Sequence, residues 1–188
     1  MSIHRFEQAC LSGVRVAFTR HYAFTGGLAL GSAPEGFIQG EIANALAKIT
    51  RYVTLETSVY DTLADAGAER RGKLPRNARG RIDIVTWWKN ESPRILIEVK
   101  KVWGNDSINK DAMRLNKVLG RGGSSREGLV VVYTHACKKE TLERRFKSIC
   151  AKSKTNVTAR TGPVKFQPHW SDNSWYWEAA CFRVKAQQ

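Results

Sequence analysis

The sequence predicts an α/β fold in which a mixed central sheet is flanked by helices. Two β-branched, alternating segments, 81–88 and 94–101, are joined by a short polar turn and form a strand pair. Helical apolar patterns precede and follow this pair, and a short apolar strand comes after them at 128–133. With a further strand at 52–60, the elements run in the order αβββαβ.

The core is predicted to begin with a helix from Pro34 to about Arg51. Its buried stripe recurs at helical spacing and comprises Ile38, Ile42, Ala45, Leu46 and Ile49. Residues 1–33 form an N-terminal helical extension, because apolar residues recur there at Ile3, Phe6, Cys10 and Val14. The strand at 52–60 is followed by a long connection at 61–80, which shows no periodicity.

After the strand pair, an N-cap at 104–107 opens a helix that ends near residue 119. Its apolar stripe comprises Ile108, Ala112, Leu115 and Leu119. A helix at 138–152, a loop at 153–168 and a strand at 170–184 follow. We therefore expect one domain, 1–188, with a core at about 34–152 and a C-terminal loop and strand at 153–188.

The chain is strongly basic, with a net charge of +14 and a pI near 10, which indicates a polyanionic partner. Nucleic acid is favoured over an anionic membrane, and no apolar run approaches the ~18 residues that span a bilayer. Two groups of bases are candidate nucleic-acid contacts, although both are also compatible with ordinary solvated surface. They are Arg70, Arg71, Lys73 and Arg76 in the long connection, and Lys110, Arg114, Lys117 and Arg121 along one helix edge.

The four cysteines are scattered, without the paired spacing of a zinc site. Free thiols in a reducing cytoplasm are the simplest interpretation for a chain of this size. The N-terminal segment is too polar for a secretory signal. We therefore expect a cytoplasmic protein that is nucleoid-associated or bound to nucleic acid.

Charged residues interrupt the two central strands. Side chains alternate faces along a strand, so Glu98 and Lys100 point the same way. If Trp88 lies opposite Pro93, Asp83 lies directly opposite Glu98, and two carboxyl groups at that distance need a cation or a shared proton between them. An ordinary hairpin with a polar face is the alternative, but the flanking apolar residues indicate strands that are buried on both sides.

The order of elements and the residues Asp83…Glu98-Val99-Lys100 resemble the PD-(D/E)XK nuclease superfamily, over about residues 34–134. The resemblance implies a restriction-endonuclease-like fold and Mg²⁺-dependent hydrolysis of a phosphodiester, with Mn²⁺ as a substitute. The metal ligands would be Asp83, Glu98, the Val99 carbonyl and Glu41, which is either bound directly or through water. Lys100 would orient a water molecule or stabilise negative charge. Glu56 is a weaker candidate for the same site.

We therefore expect an endodeoxyribonuclease whose partner is DNA in preference to RNA. Two alternatives stay open: a toxin-type ribonuclease on the same fold, and a nucleic-acid-binding protein on an inactive nuclease scaffold. Presence of the four candidate catalytic residues, Glu41, Asp83, Glu98 and Lys100, argues against the second. A homodimer is a further open alternative.

Overall fold

A computed structural model describes residues 2–68, 79–103, 108–125, 127–153 and 155–186. The helices are α1 (Ile3–Phe24), α2 (Glu35–Ala47), α3 (Val59–Asp65), α4 (Asn109–Leu119) and α5 (Lys139–Lys152), with a single 3₁₀ turn at Leu30–Ser32. The strands are β1 (Tyr52–Ser58), β2 (Arg81–Trp87), β3 (Pro93–Lys101), β4 (Glu127–Ala136), β5 (Val157–Arg160), β6 (Val164–Phe166) and β7 (Trp175–Lys185).

The strands form one sheet in the order β1-β2-β3-β4-β7-β5, with β6 paired to β7. β3 and β4 run parallel, and the other pairs are antiparallel. Alternation along β3 divides the core between the two faces of the sheet. Ile97 packs with α1 and α2, whereas Leu96 packs with α4 and α5. The predicted α/β class with a mixed, helix-flanked sheet is confirmed.

The two ends of the chain contribute to this core. In α1 the predicted apolar residues Phe6, Cys10 and Val14 are buried. At the other end of the chain, β7 pairs with β4 along the whole length of β4. α1 crosses α2 at Gly13, where a Cβ atom would lie 2.5 Å from the Ile42 Cα. The packed core therefore extends beyond the predicted 34–152.

Several predicted boundaries are wrong. The segment 153–168 contains β5 and β6, which are too short to show a period of two in the sequence. The strand predicted at 52–60 ends at Ser58, and α3 begins at once because Val59 and Thr62 bury one side of a short helix. The first core helix ends at Ala47, before Arg51.

Two predictions lie outside the described residues: the N-cap at 104–107, and the basic group Arg70, Arg71, Lys73 and Arg76. Within the described part of the chain, no helix combines the length and the apolar character needed to cross a membrane.

Candidate functional site

β2 separates from β3 at Asp83. The pairing between β2 and β3 runs from Thr86 opposite Ile95 to Ile84 opposite Ile97. Continued by one pair, the same register places Asp83 opposite Glu98. At that position the Asp83 side chain enters the ladder, and its Oδ2 accepts a 2.7 Å hydrogen bond from the Val99 amide. The pairing next to Asp83 therefore has the predicted register.

The hairpin end differs from the prediction. Pro93 lies opposite Trp87 and not opposite Trp88, because the register shifts between Thr86 and Trp87. The Trp88 amide closes the turn with a 2.9 Å bond to the Ser92 carbonyl. This irregularity lies at the turn and leaves the pairing next to Asp83 unchanged.

The Val99 carbonyl points toward the same gap. N–H and C=O of one strand residue face the same neighbouring strand, and the Val99 N–H faces β2. β2 has no recorded pairing beyond Ile84 on this side. The split therefore presents a backbone oxygen beside the carboxyl groups of Asp83 and Glu98.

Glu98 is a buried carboxyl group that faces another carboxyl. Its side chain lies on the α4 face with Leu96, and the residue is 5% exposed. Burial and then the charge of Asp83 raise its pKa to about 8, against the opposing effect of Arg114. Burial also raises the pKa of Asp83, while the Val99 hydrogen bond lowers it. The pair therefore tends to hold a proton or attract a cation.

Helix α4 supplies two charged partners to the strand. Arg114 Nη2 lies 3.1 Å from Glu98 Oε1, and Lys100 Nζ lies 3.1 Å from Asp111 Oδ2. Among the residues that the structure describes, neither carboxyl oxygen has a partner with hydrogen-bond geometry, although both are buried. The two contacts are therefore electrostatic pairings of groups that retain hydrogen-bonding capacity.

Arg114 consequently differs from its predicted neighbours on the helix edge. Lys110 and Lys117 are exposed, as a nucleic-acid contact requires, and Arg121 is half-buried. Arg114 is turned toward Glu98, because its position brings the guanidinium over β3 and not toward solvent. The four bases therefore do not form one continuous outer edge.

The structure does not bring Glu41 to this site. Glu41 is buried between α1 and α2, where its Oε1 pairs with Arg20 Nη1 at 2.6 Å. Glu35 lies in the first turn of the same helix. Partial desolvation and then the charge of Asp83 raise the pKa of Glu35, which makes it a candidate for the position predicted for Glu41.

Sequence reasoning missed Glu35 and Asp111, and it gave Glu56 as a weaker candidate for the site. Glu56 raises the pKa of Asp83 and of Glu98, and it occupies a left-handed backbone conformation, with φ of 51°. An acid in the first turn of a helix is a weak available signal for Glu35. We call the resulting group the carboxyl cluster; its members are Glu35, Glu56, Asp83, Glu98 and Asp111.

The comparisons with known proteins give no further assignment. The chain matches no family model, no curated protein and no solved structure. The resemblance of Asp83…Glu98-Val99-Lys100 to the nuclease superfamily therefore stays a prediction. Across the described residues, no group of three Asp, Glu, His or Cys side chains lies close enough to hold a metal ion.

Proposed function

We propose that this chain is a metal-dependent phosphodiesterase, specifically an endodeoxyribonuclease of the PD-(D/E)XK type. The observation that carries the proposal is the buried Glu98 carboxyl, which faces Asp83 at the end of a split strand pair. Two such groups in a core carry a large desolvation cost unless a cation or a proton accompanies them.

The donor atoms at the split fit Mg²⁺ or Mn²⁺. Such ions prefer carboxylate and carbonyl oxygens, and among the described residues the buried Glu98 Oε1 has no partner with hydrogen-bond geometry. Asp83, Glu98 and the Val99 carbonyl would hold the ion. Glu35 would act through a water molecule, one of the two modes predicted for Glu41, because no three such side chains of the described residues lie close enough to share an ion. When bound, the ion supplies charge neutralisation and a water molecule of lowered pKa.

The basic residues around the cluster have separate roles in this proposal. Lys100 lies on the same face as Glu98 and can present its ammonium group to a phosphate oxygen or a water molecule. Arg114 contacts Glu98 Oε1 at 3.1 Å in the metal-free protein, and phosphate is an alternative partner for its guanidinium. Neither role requires either side chain to lose a proton.

The charge of the whole chain supports a nucleic acid as the substrate. A net charge of +14 favours a polyanion, and exposed Lys110 and Lys117 lie on the helix that carries Arg114. DNA remains the proposed partner, and a cytoplasmic, nucleoid-associated location follows from that partner. A homodimer is compatible with this proposal and is not required by it.

One observation favours a second candidate, a nucleic-acid-binding protein without catalysis. Glu98 and Asp111 already have basic partners, Arg114 and Lys100, so these two carboxyl groups do not require a metal ion as their partner. In that case Asp83 serves only to join β2 to β3 through Val99. A toxin-type ribonuclease differs from the main proposal only in its substrate.

One experiment separates these functions. Supercoiled plasmid, single-stranded DNA and tRNA are incubated with the parent protein in Mg²⁺, Mn²⁺ or EDTA, alongside Asp83→Asn. The proposal predicts metal-dependent cleavage of DNA by the parent and its loss in Asp83→Asn. Cleavage of tRNA alone would identify a ribonuclease. DNA binding without cleavage under any condition would identify the inactive binding protein.

A further inference from the structure

The edge of the sheet near the carboxyl cluster also carries a row of aromatic rings. Trp103 follows β3, His135 lies near the end of β4, and β7 begins beside it. Successive ring centroids are 4.6, 5.6 and 5.2 Å apart. We call this row the aromatic platform; its members are Trp103, His135, Trp175 and Trp170.

Two rings of the platform are open to solvent. Trp103 is 43% exposed and Trp170 is 57% exposed, whereas His135 is buried between them. Aromatic residues on strands usually belong to the core, and Trp177 on β7 is an ordinary example. Large aromatic rings that line up at a surface are more typical of a binding site.

Contacts with the 3₁₀ turn and with α1 fix the position of the platform. A Cβ atom on Gly31 would lie 2.2 Å from the Cε1 of His135, so the 3₁₀ turn packs directly against that ring. The loop that carries Trp170 is anchored to α1, where the Tyr22 hydroxyl donates to the Gln167 carbonyl. Rings that are fixed before a ligand arrives lose little conformational entropy on binding.

Cations accompany the rings. Lys101 Nζ lies 4.5 Å from the centroid of the Trp103 ring. Beside Trp175, a cavity of about 440 Å³ is lined by Lys138 and Lys139, together with one acid, Glu140. An aromatic patch that binds a protein does not require this alternation of rings and cations. A single strand of nucleic acid does, because its bases stack on the rings and its phosphates contact the cations.

The platform and the carboxyl cluster adjoin each other through Lys101. Lys101 is the last residue of β3 and lies three positions after Glu98 on that strand. The same residue lies over Trp103. A chain of nucleotides on the platform would therefore continue toward the split between β2 and β3.

We propose that the aromatic platform binds the unpaired bases of a single-stranded nucleic acid by stacking. Every base has a π-face, so this mode of binding has little sequence preference. A consequence for the substrate rests on the proposed function: the phosphodiester that is cleaved lies next to unpaired nucleotides. The binding itself does not depend on catalysis.

The test measures binding of a labelled oligo(dT) of about 20 nucleotides by fluorescence anisotropy in EDTA and at fixed salt. Trp103→Ala and Trp170→Ala are each expected to weaken binding by roughly 5- to 150-fold. Trp88→Ala is the matched control. Trp88 is also 43% exposed and also lies under a cation, at 3.9 Å from the Arg94 guanidinium, but it sits at the opposite end of β3.

Stacking makes two further demands. Trp170→Phe should recover most of the affinity that Trp170→Ala loses. The affinity for a duplex of the same length should be the same in both variants as in the parent. Oligo(U) reports whether the ribose backbone is accepted, and loss of oligo(U) binding in the same variants also supports the platform. Circular dichroism confirms that each variant is folded.

Two outcomes would overturn the inference: affinity that is unchanged in both platform variants, or an equal loss in Trp88→Ala. The proposed function fails on different data, because Asp83→Asn is expected to bind oligo(dT) like the parent. A protein that binds oligo(dT) through the platform and cleaves nothing retains this inference and loses the nuclease assignment. If cleavage is unchanged when Trp103 and Trp170 are substituted, the nuclease assignment is retained and this inference is lost.

Discussion

Asp83 accepts a 2.7 Å hydrogen bond from the backbone amide of Val99, where the pairing between β2 and β3 stops. The carboxyl group thereby takes the place of a ladder hydrogen bond. One of its oxygens is committed to the fold, and the group still faces Glu98. Asp83 therefore has a structural role that must be separated from any role in catalysis.

Substitution of Asp83 separates these roles. Asparagine retains a carbonyl oxygen for the Val99 amide, so Asp83→Asn should change the free energy of unfolding little. Asp83→Ala leaves a buried N–H unpaired and should cost about 1–3 kcal/mol. Both variants should lose cleavage by orders of magnitude and retain DNA binding. Denaturant unfolding together with single-turnover cleavage checks this, and Asp83→Asn with parental activity would remove Asp83 from the metal site.

Glu35 and Glu41 give opposite expectations in a metal titration. Glu35→Gln should raise the Mg²⁺ concentration needed for cleavage several-fold, because it removes a charge that is coupled to Asp83. Glu41→Gln should leave that concentration unchanged and lower stability, because it disrupts the pair with Arg20. Calorimetric Ca²⁺ binding gives an independent readout. Equal effects of the two substitutions would contradict this assignment.

The pKa of Glu98 makes stability depend on pH in the metal-free protein. Its folded-state pKa is about 8 and its ordinary value 4.5, so between these pH values the unfolded chain releases a proton that the folded protein keeps. The free energy of unfolding should then fall as pH rises, by at most about 1.4 kcal/mol per pH unit from this group. Below pH 4.5 this contribution to stability is fully present, and above pH 8 it is lost.

Glu98→Gln removes that dependence. Relative to the parent in EDTA, the variant should become progressively more stable from pH 5 to pH 8. Thermal unfolding at several pH values measures the difference, and Glu41→Gln serves as a buried carboxyl control outside the cluster. Unfolding curves that stay parallel across this range would show that Glu98 does not titrate there.

Lys100 is expected to act on turnover and not on metal affinity. Lys100→Ala leaves the proposed ligands in place, so Ca²⁺ binding should persist while single-turnover cleavage falls by about 10²- to 10³-fold. The substitution also breaks the contact with Asp111, and Asp111→Asn is the control for that loss. If Asp111→Asn slows cleavage as much as Lys100→Ala does, the lysine acts through the pairing and not on the substrate.

The exposed bases of α4 should determine the salt dependence of binding. Lys110→Ala combined with Lys117→Ala should weaken duplex binding and reduce the slope of log K against log[salt] by about 1.8, at 0.9 per phosphate contact. The chemical step at saturating DNA should be unaffected. Lys165→Ala, a single exposed lysine on β6, is the control. An unchanged slope would place the DNA on another surface.

Whether a residue of this site could be predicted depends on whether its position is determined by neighbouring residues in the sequence or by distant ones. The facing of Asp83 and Glu98 follows from strand alternation, which the sequence displays directly. The choice between Glu35 and Glu41 depends on how far α2 extends past the sheet. These residues are about 9 Å apart along the helix axis, so only one of them reaches the cluster.

The orientation of Arg114 was not predictable for a related reason. A charged residue between the apolar and polar sides of a helix can turn either way, and the nearby carboxyl decides. β5 and β6 were missed because short strands are fixed by their partner, here β7, and not by their own pattern. Residues whose position depends on distant segments are thus the ones that sequence periodicity leaves undetermined.

The two pairings between β3 and α4 also determine how that helix docks. Glu98 pairs with the later helix residue, Arg114, and Lys100 with the earlier one, Asp111, so α4 runs back along the strand. A slide of the helix by one turn in either direction would bring two acids or two bases together, Asp111 beside Glu98 or Arg114 beside Lys100. Such mismatches are costly in a partly buried interface. The four side chains therefore favour one alignment of α4, and this role in docking does not depend on any enzymatic activity.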